Sequence, residues 1–123
     1  MKPLHVSQIE SFNKRFNSLI DSELRRVDII SPTTMSIVLS VQDENRAFDW
    51  INLELEVSGV SDARLIDEDK ISFLDMSDGI SILYEEKNVI ISVGKYNSFE
   101  SANNAPLLIK GGTLKYQENT FNA

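Results

Sequence analysis

Apolar residues near the start of the chain recur every three or four positions, and further along they recur every two. Ile9, Phe12, Phe16, Leu19 and Ile20 form one stripe with helical spacing, and Lys14, Arg15 and Asn17 lie on the other side. Ser7 followed by Glu10 is a capping-box pattern, in which hydroxyl and carboxylate satisfy backbone N–H groups that a first turn leaves unpaired. Together these predict a helix over about 7–21.

Beyond the helix, Arg25, Val27 and Ile29 alternate with Arg26, Asp28 and Ile30, and Ser31-Pro32-Thr33 reverses the chain into Met35, Ile37, Leu39 and Val41. Ile51, Leu53, Leu55 and Val57 then alternate with Asn52, Glu54, Glu56 and Ser58, the pattern of a strand with one face in a core and one in water. Phe48 and Trp50 fall on the opposite parity, so a bulge near Trp50 is expected to bring them inside. Shorter strands are expected at about 63–66 and 71–75. Setting Tyr84 opposite Val89 places Ile82 against Ile91 and Ile80 against Val93. Leu83 and Ile90 then meet on the other face, so this hairpin is expected to be covered on both sides. Gly111-Gly112 has the freedom of a two-residue primed turn, which would set Ile109 opposite Leu114 and Leu107 opposite Tyr116. Asp78-Gly79 marks another turn.

The pattern predicts an α+β chain: one N-terminal helix packed on a curved, mainly antiparallel sheet or half-open β-sandwich. About seven to nine strands are expected between residues about 24 and 117. Phe12, Phe16, Phe48, Trp50, Phe73 and Tyr84 fall on the expected apolar faces, while Tyr96, Phe99 and Phe121 lie in segments the pattern does not assign. No repeat or linker divides the 123 residues, so one domain over 1–123 is expected. The 41% hydrophobic content excludes a disordered chain. No unbroken apolar run exceeds three residues, against roughly 20 for a membrane helix. With no signal-peptide pattern at the N-terminus, a cytoplasmic protein is expected.

Charge changes the picture further. The net charge is −7, and residues 43–86 hold 13 acidic against 3 basic side chains, whereas 1–42 hold 4 against 5 and 87–123 hold 2 against 4. A surface of that sign argues against nucleic acid or an anionic membrane as partner. Cysteine is absent and there is a single histidine, so thiolate and multi-histidine metal sites and a cysteine nucleophile are excluded. His5 precedes the expected helix, and no Gly-x-Ser-x-Gly motif accompanies it. Glu54 and Glu56 stand about 7 Å apart along one strand face. That separation suits an acid–base pair on a sugar, but neighbours on one strand do not flank a cleft. Counting a calcium loop from Asp67 meets Asp69 and then Ile71 where a ligand is required, and counting from Asp75 brings Gly79 one residue early. Gly111-Gly112, Thr113 and Lys115 lack the helix that a phosphate loop requires. No catalytic, metal or cofactor-binding residues are therefore assigned.

What remains is an acidic surface. Asp43, Glu44, Asp49, Glu54, Glu56, Asp67, Glu68 and Asp69 are the candidate partner-binding residues, suited to steer a basic protein into contact. Asp21-Ser22-Glu23-Leu24-Arg25-Arg26-Val27 leads into a hairpin, and Asp49-Trp50-Ile51-Asn52-Leu53 precedes a Glu-rich strand. Val57-Ser58-Gly59-Val60 and Ser77-Asp78-Gly79-Ile80-Ser81-Ile82 complete the pattern. In general layout this resembles small bacterial immunity proteins of contact-dependent growth inhibition and other polymorphic toxin systems. The resemblance implies a cytoplasmic, non-enzymatic inhibitor that binds a cognate toxin domain, often a nuclease, and implies no particular residues. Two other readings compete with it. One is a small-ligand or carbohydrate domain using Glu54 as acid or base, and the other is a structural subunit that associates through a sheet edge.

Overall fold

A computed structural model describes residues 1–121. In chain order its elements are β1 (Lys2–Pro3), α1 (Ile9–Arg15), β2 (Glu23–Ser31), β3 (Thr34–Asp43), β4 (Asp49–Ser58), β5 (Asp62–Arg64), β6 (Ile80–Glu85), β7 (Asn88–Val93), α2 (Phe99–Ala102), β8 (Leu108–Gly111) and β9 (Thr113–Thr120). The strands form two antiparallel sheets, in the orders β1-β9-β4-β3-β2 and β5-β8-β7-β6. The fold is α+β, as the pattern predicts, with one main helix beside a two-layer sandwich.

The inner face of the first sheet follows from the period of two. Ile37, Leu39 and Val41 of β3 stand opposite Leu55, Leu53 and Ile51 of β4, and all six are buried. Facing them are Ile80 and Ile82, Val89 and Ile91, and Ile109 from the second sheet, in one continuous core. The β6–β7 hairpin has the predicted register from Ile80↔Val93 through Tyr84↔Val89. Its outer face is covered too, because Ile90 packs with Ala102, Ala105 and Leu108 against Leu83, Tyr96 and Phe99. α2 supplies that cover.

Four expectations are corrected. The helix does not run over 7–21: a 3₁₀ turn at Val6–Gln8 leads into α1, and Gln8 rather than Glu10 accepts the backbone N–H that begins the segment, from His5 at 2.9 Å. The β3–β4 ladder runs unbroken from Thr34↔Ser58 to Asp43↔Asp49, with no bulge at Trp50, so Trp50 keeps the outward parity that its position dictates. Phe48 and Phe73 are also outside, while Phe12 and Phe16 are core and Tyr84 is half-buried. Residues 68–73 form a 3₁₀ turn that anchors Ile71 in the core, not a strand, and β5 (Asp62–Arg64) overlaps the strand expected at 63–66 only at Ala63 and Arg64.

Gly111-Gly112 is the fourth. It joins no hairpin, because β8 belongs to the second sheet and β9 to the first. The chain crosses between layers here and runs close to β4: Gly112 N–H donates to Ser58 O at 2.9 Å. A Cβ on Gly111 would lie 2.5 Å from Val57 Cγ1 and 2.9 Å from Ser58 O. Gly111→Ala is therefore expected to cost about 1–3 kcal/mol in urea unfolding, the usual penalty of overpacking. Gly112→Ala, whose Cβ would meet nothing nearer than 3.8 Å, should cost less than about 0.5 kcal/mol. Equal losses would contradict the close approach.

Candidate functional site

α1 stops because the backbone turns left-handed. Arg15 is its last residue and Phe16 its cap, and Asn17, Ser18 and Leu19 follow with φ of 52°, 54° and 61°. No L-residue helix continues through such angles. Leu19 is buried by this turn, while Ile20 and Asp21 are put on the surface. Asp21 N–H donates to Met76 O at 2.9 Å, and Gly79, at φ 73°, sits where a Cβ would collide with the backbone of residues 18–20. The 17–21 and 75–79 turns are thus locked together.

The β3–β4 connection borders the same end of the sandwich, where β2 begins with Glu23 opposite Ser40. Asp43 organises it. The Asp43 carboxylate accepts from Asn45 N–H at 3.0 Å and Arg46 Nε at 3.1 Å, and its carbonyl accepts from Phe48 N–H at 2.9 Å. Ala47 and Phe48 are held at φ 55° and 65°, a conformation costly for a bulky aromatic. Of the seven non-glycine residues with positive φ among the described residues, six (Asn17, Ser18, Leu19, Asp21, Ala47 and Phe48) lie in these two connections. Strain of this kind collects where a surface must have one shape.

Beneath the strained loops lies a charge network. Asp43 and Glu118 continue the inward rows of β3 and β9 past the apolar core, and Arg15 reaches both from the last turn of α1. Arg15 Nε and Nη2 donate to the two Asp43 oxygens at 2.8 Å each, and Nη2 also donates to Glu118 Oε1. Arg46 and Lys2 each approach Glu118 to 3.5 Å. The hydrogen bond from Arg15 holds the Asp43 carboxyl below the usual carboxylate range, outweighing burial, with Asn45 N–H adding to it. Glu118 is also lowered: burial opposes its ionisation, but Arg15 and then Lys2 outweigh it.

Above the network the surface is apolar with an acidic rim. Phe48 is 61% exposed, Trp50 43%, Phe121 41% and Ile20 39%. The Trp50 and Phe121 rings stand 6.4 Å apart. A cavity of about 430 Å³ lies between Phe16, Ile20, Phe48 and Trp50, with Asp21, Glu44 and Lys14 among its lining. Asp49 is exposed between the two aromatics in sequence.

The predicted acidic residues divide accordingly. Glu44 and Asp49 are at this site. Asp43 is not a contact residue: it is fully buried and bonded to Arg15 and Arg46. Glu54 and Glu56 lie half-buried on the outer face of the first sheet, opposite Gln117 and Lys115, with the filled core behind them. Asp67, Glu68 and Asp69 are exposed on the segment after β5, and Glu68 lines a separate cavity with Glu23 and Arg25. The eight side chains therefore do not form one face. Sequence reasoning missed Ile20 and Asp21 and assigned Phe48 and Trp50 to the core. The strict parity of Trp50 with Asn52, Glu54 and Glu56 was the signal that it points outward.

Among the described residues, no group of three or more His, Asp or Glu side chains is placed to hold a metal ion, and no helix is long and apolar enough to cross a membrane. Comparison with protein-family models, with curated proteins and with solved structures found no match.

The lowered carboxyls set a pH dependence. A depressed folded-state value contributes stability that is fully present above the unfolded value, about pH 4, and is lost as pH falls through the folded values below it. Thermal unfolding followed downward from neutral pH should show that acid limb. Asp43→Asn should flatten it while lowering neutral-pH stability by about 3–5 kcal/mol, as expected when one partner of a buried pair is removed.

Proposed function

We propose that this chain is a non-catalytic inhibitor of the immunity-protein kind, which acts in the bacterial cytoplasm and neutralises a cognate basic toxin domain by capping it with the aromatic, acid-rimmed end of the sandwich. The observation that carries this reading is the exposure of Phe48 and Trp50 on a strained, rigidly braced connection, beside Ile20 and among the carboxylates of Asp21, Glu44 and Asp49. Aromatic side chains held in one conformation lose little entropy on binding and are the usual anchors of protein interfaces. Carboxylates around them favour a partner with a cationic surface and speed its approach. A toxin that grips nucleic acid offers such a surface, and an inhibitor seated there excludes its substrate.

This reading narrows the contact from the whole acidic segment to one end of the molecule. Glu44 and Asp49 remain steering residues, Asp43 becomes the brace beneath them, and Glu54 and Glu56 fall outside the footprint. A carbohydrate-processing role for Glu54 has less support, since the pair stands on an open sheet face.

The test is binding to the toxin domain encoded beside this chain. A salt-sensitive one-to-one complex is expected. Trp50→Ala or Phe48→Ala should weaken it roughly 30-fold or more, the scale of a hot-spot residue. The double change Glu54→Lys and Glu56→Lys should alter it by no more than about threefold, as expected of charges outside the contact. A complex indifferent to Trp50 and Phe48, or no complex at all, would overturn the proposal.

A further inference from the structure

The lining of the cavity at the aromatic end narrows what can enter it. Phe16, Ile20, Phe48 and Trp50 form its apolar part, and Asp21 and Glu44 its acidic part. A hydrocarbon side chain would leave the carboxylates unanswered, and an acidic one would be repelled by them. An aromatic ring is negative on its face, so it attracts cations, tryptophan most strongly. Positive charge on a flat, weakly hydrated group satisfies both parts of the lining at once.

The chain already pairs its own cations with aromatic rings. The Arg15 guanidinium stands 4.7 Å from the centroid of Phe16, and Lys110 and Lys2 stand 5.6 Å from Phe99 and 5.8 Å from Tyr116. Arg15 is committed to Asp43 and Glu118. Lys14 is the other basic residue of the lining, outnumbered by Asp21 and Glu44. Phe48 and Trp50, at 61% and 43% exposed, are left to an incoming group. Both are set before docking. Gln42 Nε2 donates to Phe48 O at 3.3 Å, and Trp50 stands in the β3–β4 ladder with the Phe121 ring tilted against it at 47°. Walls fixed in advance cost little entropy when a side chain enters between them.

We infer that the partner docks by inserting one arginine side chain into this cavity, its guanidinium against Trp50 and Phe48 and its N–H groups toward Asp21 and Glu44. The inference rests on the reading that a basic protein docks at this end. Arginine suits the site better than lysine, because its planar head stacks on rings while its edge still donates to carboxylates. The aromatic pair then selects for charge as well as for apolar area.

Trp50 is the single tryptophan of the chain, so biosynthetic incorporation of mono-, di- and trifluorotryptophan alters one ring only. Fluorine keeps the shape of the ring and raises its hydrophobicity, but weakens the negative face that attracts a cation. Affinity for the toxin domain encoded beside this chain should fall stepwise, about five- to thirtyfold across the series, the scale of a partly desolvated cation–π contact. One surface arginine of the toxin domain, changed to methionine, should abolish that dependence. A double-mutant cycle between that change and Trp50→Leu reads the same contact without labelling, and the two losses should overlap by about fivefold or more. A complex weakened by Trp50→Ala yet unchanged or tighter across the fluorinated series has a plain apolar anchor there. That result overturns this inference and leaves the functional reading standing. A dependence on fluorination that no arginine substitution removes assigns the cavity to another cation, and also overturns it. Failure to form any complex overturns both.

Discussion

Arg15 holds the molecule together where the apolar core ends. The inward rows of β3 and β9 run out of hydrophobic residues and finish in Asp43 and Glu118, two carboxylates that burial alone would strongly disfavour. One guanidinium from α1 satisfies both, with a two-pronged contact to Asp43 and a further bond to Glu118. Its planar array of donors suits this in a way that a lysine ammonium does not. The arrangement joins residues 103 positions apart in sequence, and it fixes α1, the β3–β4 connection and the C-terminal strand relative to one another. A buried ion pair is a poor source of net stability, because desolvation offsets much of the attraction. Its value lies in specificity. Hydrophobic replacements would fill the space but would not orient Asn45, Arg46 and Phe48 around a carboxylate.

The position of the network explains the position of the strain. Left-handed conformations at Leu19 and Phe48 persist only where surrounding contacts over-determine them. Phe16 and Leu19 are buried on one side, and Asp43 holds the loop on the other. The exposed side chains are consequently presented by rigid supports, although they belong to connections and not to strands. Loops held by a rigid scaffold are where folds commonly carry their binding residues.

Period and parity made the two sheets legible. The β3–β4 and β6–β7 pairings follow directly from alternation in the chain, and so does the outward direction of Glu54 and Glu56. Three kinds of information were not local. The end of α1 depends on Asn17 tolerating a left-handed backbone and on Gly79 packing beneath Ser18, a contact across about 60 residues of sequence. The role of Gly111-Gly112 depends on β4 already occupying the space beside it, so its freedom reads equally well as a hairpin until both sheets are known. The acidic segment could be counted but not located: the same stretch of chain supplies a buried brace at Asp43, an open sheet face at Glu54 and Glu56, and a surface turn at Asp67, Glu68 and Asp69. Hydrophobicity alone placed Phe48 and Trp50 inside, and only the unbroken ladder beneath them shows why they stay out.

The crossover at Gly111-Gly112 has a consequence for the order of assembly. The strand that follows it comes after all its neighbours in chain order, yet it inserts between β1 and β4 and carries Glu118. Until then β4 is an uncovered edge, and the first and last strands, which pair in the finished molecule, have not met. Pairings this distant make for slow folding, because the loop must close before any contact rewards it. The hairpins can therefore form early, whereas the first sheet is complete only once β9 has joined it, so the Arg15 network waits for the pairing most distant in sequence.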